Sequence, residues 1–80
     1  MKELIKEKLE TILREKYSLE GLNYTIEEPK DRHLGDLATN VCFLLSKHLK
    51  KPPHLLAEEI AKELSNEDFQ AEPLRGFINF

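Results

Sequence analysis

Phe69-Gln70-Ala71-Glu72-Pro73-Leu74-Arg75-Gly76-Phe77-Ile78-Asn79-Phe80 decides the fold of this chain. Its apolar residues Phe69, Ala71, Leu74, Phe77, Ile78 and Phe80 are spaced for extended backbone, with a break from Pro73 to Gly76. The segment predicts a strand, a bend and a second strand. In the second strand the side-chain period of two puts Ile78 and Phe80 on one face and Phe77 and Asn79 on the other. The first pair suits a core; the second pair is left for another task.

Upstream the pattern becomes helical. Pro53 has the fixed φ of a first helical position, and Leu56, Ile60, Ala61 and Leu64 recur at helical spacing until Ser65-Asn66-Glu67-Asp68. Before it, Leu37, Val41, Leu44, Leu45 and Leu49 form a second stripe, expected to begin at Leu37 with Asp36 as N-cap. That helix is expected to end in Lys47, Lys50 and Lys51, with Pro52 and Pro53 enforcing the stop. Leu22, Tyr24 and Ile26 alternate with Asn23, Thr25 and Glu27, the period of a half-buried strand stopped by Pro29. From Lys2 to Lys16, the residues Leu4, Ile5, Leu9, Ile12 and Leu13 mark an amphipathic helix. The order is helix, strand, two helices, two strands. A two-stranded hairpin alone is marginal, so the expected class is α+β: a small antiparallel sheet of three to four short strands covered on one face by three helices.

Eighty residues make one domain, since a chain this short buries only about 60% of the surface its unfolded form exposes. A charged fraction of 34% and a hydrophobic fraction of 40% are those of an ordinary globular protein. No apolar run approaches the roughly 20 residues that span a bilayer, and no secretory signal opens the chain. The expectation is a cytoplasmic protein without a membrane partner. Its one cysteine, Cys42, is read as a small core hydrophobe. The chain stops on Phe80 inside an apolar strand, which is read as a domain excised from a longer protein.

The net charge of -3 conceals an uneven distribution. From Pro29 to Ala57, five Lys or Arg face two acids, so a basic middle of net +3 sits between flanks of net -6. Such asymmetry orients an anionic partner. Lys47, His48, Lys50, Lys51 and His54 form a run without acids, a candidate contact for a nucleic-acid backbone that supplies affinity instead of specificity.

Two further constellations have competing readings. Phe77 beside Asn79 suits a splayed-out base, the ring stacking and the carboxamide bonding a base edge. Alternatively, Phe77 packs under a helix and Asn79 caps a turn, which spacing alone favours. Gly35-Asp36-Leu37-Ala38-Thr39-Asn40 is a helix start, or else free N–H groups there bind phosphate with help from Lys30 and Arg32. A carboxylate at the cap competes with an anion, so the structural reading is preferred. His33-Leu34-Gly35-Asp36 superficially resembles the His-x-Gly-His signature of class I synthetases. That signature needs a nucleotide-binding fold of several parallel strands, which this element order does not supply. No catalytic triad, carboxylate pair or metal-ligand cluster stands out.

Taken in order, Gly35-Asp36-Leu37-Ala38-Thr39-Asn40-Val41, the Leu-rich helix, Lys50-Lys51-Pro52-Pro53, Leu56-Ala57-Glu58-Glu59-Ile60-Ala61 and Gly76-Phe77-Ile78-Asn79-Phe80 resemble the additional N-terminal domain of arginyl-tRNA synthetases. The resemblance covers essentially the whole chain and is strongest from Gly35 onward. It implies a domain that reaches the outer corner of tRNA(Arg) and contacts the D loop, with Phe77 and Asn79 at the positions that read an unstacked base. It thereby reverses the preference that spacing alone gives. Family members often carry a further small residue before the final Gly, whereas Leu74-Arg75 stand here; either Arg75 adds a phosphate contact or the bend differs. The implied backbone contacts are Lys47, Lys50, Lys51, Arg75, Lys30 and Arg32.

The resemblance further implies a full-length arginine-tRNA ligase that uses ATP with Mg, needs no cofactor in this domain and works as a monomer. The domain's partners would be tRNA(Arg) and the catalytic and anticodon-binding domains of the same chain. An alternative from another class is a stand-alone protein-interaction module docking through its amphipathic helices. A small independent enzyme ranks last, because no convergent pocket of activated groups is found.

Overall fold

A computed structural model describes residues 2–29, 35–65 and 70–80. The element order is α1 (Lys2–Tyr17), β1 (Ile26–Glu27), β2 (Ala38–Thr39), α2 (Val41–Leu49), α3 (Pro53–Leu64), β3 (Glu72–Leu74) and β4 (Phe77–Asn79). The strands form one antiparallel sheet in the order β1-β2-β4-β3. The expected α+β class is the observed one.

Each helix buries most of the stripe its sequence marks, although Leu4 and Leu49 are exposed and Ile12 and Leu44 only half-buried. Ile5, Leu9 and Leu13 of α1, Val41 and Leu45 of α2, and Leu56, Ile60 and Leu64 of α3 are fully buried and meet in one core with Ile26 and Ile78 of the sheet. Burying such a side chain contributes about 1.5–3 kcal/mol, so these stripes carry the hydrophobic stabilisation. Cys42 is also fully buried, and desolvation pushes its thiol up to about 12. Tyr17, packed against the same core, has a phenol held at about 12, again mainly by burial, and its hydroxyl finds no partner among the described residues.

Register explains the sheet's two faces. Ile26, Thr39, Ile78 and Pro73 lie in one cross-strand row, and the first three are almost fully buried beneath the helices. Glu27, Ala38, Asn79 and Glu72 form the next row and point to the opposite face. Pro73, which has no N–H to give a ladder, sits in β3 at the edge of the sheet, where that lack costs least.

Three expectations need correction. Helix α2 begins at Val41, not Leu37, because Ala38 and Thr39 are drawn into the sheet between β1 and β4. Asp36 is therefore not its N-cap: the Asp36 N–H donates to the Phe80 carbonyl at 2.7 Å, and Phe80 N–H donates to Leu37 O at 2.7 Å. The segment before β2 thus runs along the end of β4. Gly35 is required there, since at φ +118 a Cβ would come within 2.5 Å of the Phe80 carbonyl oxygen. The strand expected from Leu22 pairs only at Ile26 and Glu27, although the alternation of half-buried Leu22 and Tyr24 with exposed Asn23 and Thr25 is present.

The other ends fall close to expectation. Helix α2 stops at Leu49, with Lys50 in the left-handed conformation (φ 55) and its N–H donating to Ser46 O. Pro52 is the N-cap of α3 and Pro53 its first residue. The break expected from Pro73 to Gly76 narrows to Arg75-Gly76, both at positive φ (52 and 90), the pattern of a two-residue hairpin turn of type I′. Phe69 lies outside the described residues.

Candidate nucleic-acid interface

The face of the sheet away from the helices carries two cross-strand rows. One is Glu27, Ala38, Asn79 and Glu72; extending the register by one step gives Thr25, Asn40, Phe77 and Leu74 as the other. Most of these side chains, with Glu28, Pro29 and Arg75, line a concave surface of about 400 Å³. Phe77 and Asn79 are therefore neighbours on one open face, as their parity requires.

Their surroundings differ. Phe77 is 44% exposed, so it does not lie beneath a helix, and its ring is braced edge-on by Phe43 of α2. Asn79 is only 7% exposed, walled in by its strand neighbours. Its carboxamide makes no hydrogen bond among the described residues, so it caps no turn there. A half-exposed ring beside a recessed, unpartnered amide offers a flat apolar face and a donor-acceptor pair within one side-chain spacing. A planar heterocycle with polar edges needs both. The carboxylates of Glu27 and Glu28 on the wall oppose a phosphate beside them.

Arg75 is exposed at the hairpin tip and lines the concave surface. Gly76 beside it is packed so closely that a Cβ there would come within 3.1 Å of the Pro53 Cβ, which brings the α2–α3 turn against the hairpin. Lys50 and Lys51 belong to that turn, directly before the Pro52-Pro53 pair. Lys47 and Lys50 are exposed and form no ion pair among the described residues. Lys51 differs: its ammonium is paired with Glu59. Lys30, Arg32 and His33 lie outside the described residues.

The phosphate-binding reading of Gly35 to Asn40 finds no support in the observed hydrogen bonds. The Asp36 and Leu37 N–H groups are directed to Phe80 O, and the Val41 N–H donates to Thr39 Oγ1 at 3.3 Å. Sequence reading missed Asn40, Ala38 and Leu74 as parts of the open face. Thr25 and Glu27 had the right parity, but Asn40 was hidden by the helical assignment of its segment.

Comparison with known proteins identifies the family of the chain. A family model described as the arginyl tRNA synthetase N terminal domain matches residues 1–80. The chain is 50% identical to the arginine-tRNA ligase of Aquifex aeolicus and 42% identical to that of Aliarcobacter butzleri. Both matches cover 100% of this chain and 14% of the relative, so the chain spans about a seventh of their length. The solved arginyl-tRNA synthetase of Thermus thermophilus superimposes with a TM-score of 0.78 at 26% identity, covering 100% of this chain and 13% of that one.

Proposed function

The chain belongs to the arginyl-tRNA synthetase N-terminal domain family, and from that premise we propose that it is the tRNA(Arg)-binding domain of a cytoplasmic arginine-tRNA ligase, contacting the D loop at the outer corner of the tRNA. Phe77 stacks on an unstacked base and Asn79 bonds its edge. Lys47, Lys50 and Arg75 hold the neighbouring phosphates, with Lys51 a weaker contact because Glu59 already neutralises it. Arginine, ATP and Mg are handled by the remainder of the enzyme, and the domain contributes by fixing the tRNA.

The observation that carries this reading is the pairing of Phe77 and Asn79 on one open face, the ring exposed and the amide without a partner among the described residues. The protein-docking alternative is weaker, because the apolar stripes it would use on α1 and α3 are mostly spent on the domain's own core, Leu4 alone of them being exposed. The test is arginylation by full-length ligase carrying Phe77→Ala or Asn79→Ala. Loss of a base stack is worth about 1–3 kcal/mol, so kcat/KM for tRNA should fall about five- to 150-fold with the melting temperature little changed. Parental kinetics in both variants would remove the assignment.

A further inference from the structure

Asn is among the best helix N-caps because its side-chain oxygen accepts an N–H from the first turn. Asn40 stands at that position of α2 and makes no such bond. Its Oδ1 instead accepts the Thr25 N–H, at 2.8 Å, across to β1. A backbone N–H meets only the oxygen of an amide, so this bond fixes which end of the carboxamide faces where. The NH₂ end has no acceptor among the described residues. Asn40 lines the same concave surface as Phe77 and Asn79. Extending the register puts it opposite Phe77 and diagonal to Asn79, a separation that side chains and a base between them can bridge.

We infer that Asn40 is a third, specificity-determining contact, whose NH₂ donates to an acceptor on the edge of the base held by Phe77 and Asn79. The inference rests on the base-binding reading of that pair. The two amides have different duties. Asn79, without a partner among the described residues, turns either its oxygen or its nitrogen to the base, whereas Asn40 offers a donor only, because Thr25 occupies its oxygen. A base edge that presents a ring nitrogen or exocyclic oxygen to Asn40 is accepted; one that presents an N–H there is rejected, since two donors would face each other without water between them.

The experiment uses full-length ligase and tRNA(Arg). Asn40→Asp keeps the side-chain shape and an oxygen for the Thr25 N–H but removes the donor. The expected result is a KM for tRNA raised about tenfold or more at both low and high salt, with kcat for saturating tRNA and the melting temperature close to the parent. Combined with Asn79→Ala, the loss should be smaller than the product of the two single losses, because both side chains hold one base. Kinetics within about twofold of the parent, while Phe77→Ala and Asn79→Ala are impaired, would leave Asn40 as a strand tie and overturn the inference. A loss that vanishes at high salt would overturn it too, by showing charge repulsion as the cause. If Phe77→Ala and Asn79→Ala are themselves unimpaired, the base site fails, and the role of Asn40 fails with it.

Discussion

The rings of Phe43 and Phe77 meet edge-on, with centroids 4.9 Å apart and planes at 66°. This contact joins the first turn of α2 to β4 and sets the tilt of the Phe77 ring on the open face. A ring held in place loses less entropy on stacking than a free one. Aromatic pairs of this geometry contribute about 0.5–1.5 kcal/mol beyond their buried area. Phe43→Leu, which keeps most of the apolar volume, should therefore weaken tRNA binding by about two- to tenfold, less than Phe77→Ala. Affinity of the full-length enzyme for tRNA(Arg) checks this, and an effect equal to that of Phe77→Ala would mean that Phe43 touches the RNA itself.

Gly76 makes the same contact possible. At φ +90, a Cβ would stand 2.8 Å from the Phe43 ring and 3.1 Å from Pro53. Gly76→Ala therefore combines left-handed backbone strain with a clash, and should cost about 1–3 kcal/mol. Urea unfolding measures it; a cost below about 0.5 kcal/mol would show that the hairpin relaxes freely.

Much of this arrangement was legible in the sequence. The stripes Ile5-Leu9-Leu13 and Leu56-Ile60-Leu64 announced their helices because each buries one face at the helical period. The parity of Phe77 to Phe80 announced the face of the candidate base contact for a similar reason. Ala38 and Thr39 gave no such signal. Ala is a good helix former, and Asp36 is a good cap, so local preference favoured an earlier helix start. What draws these two residues into the sheet is pairing with Ile78 and Asn79, about 40 positions away. No local window reports that pairing, and Asn40 was missed with it. The salt bridge that occupies Lys51 was equally invisible, because Glu59 reaches it only after the α2–α3 turn folds.

That salt bridge separates two adjacent lysines. Lys50 is exposed and unpaired among the described residues, whereas Lys51 is neutralised by Glu59. Lys50→Ala should lower the slope of log affinity against log salt by about 0.7–0.9, the amount for one phosphate contact. Lys51→Ala should change it by less, and Glu59→Gln should steepen it by freeing the Lys51 charge. Equal slopes for the two lysine variants would contradict the assignment.

Burial of Cys42 gives a pH dependence with a definite sign. The thiol ionises at about 9.0 when unfolded and at about 12 in the fold, chiefly through desolvation. Above pH 9 the unfolded chain therefore binds fewer protons than the native one, and stability falls as pH rises from about 9 toward 12. Tyr17, raised from 10.0 to about 12, adds to the same decline. The melting temperature should drop between pH 8 and pH 10.5, and Cys42→Ala should show a shallower drop. In the native state at pH 8 the thiol should react with a disulfide reagent far more slowly than in urea; equal rates would mean that Cys42 is not enclosed.

The open face itself is tested most directly by photocross-linking. Leu74 lies on the same face as Phe77, at the rim of the concave surface and 41% exposed, so a benzophenone side chain placed there leaves Phe77 and Asn79 intact. With full-length ligase and tRNA(Arg), the account predicts cross-links confined to D-loop nucleotides and abolished by excess unlabelled tRNA(Arg). Cross-links to the acceptor stem or anticodon, or none under conditions where the tRNA is arginylated, would contradict it.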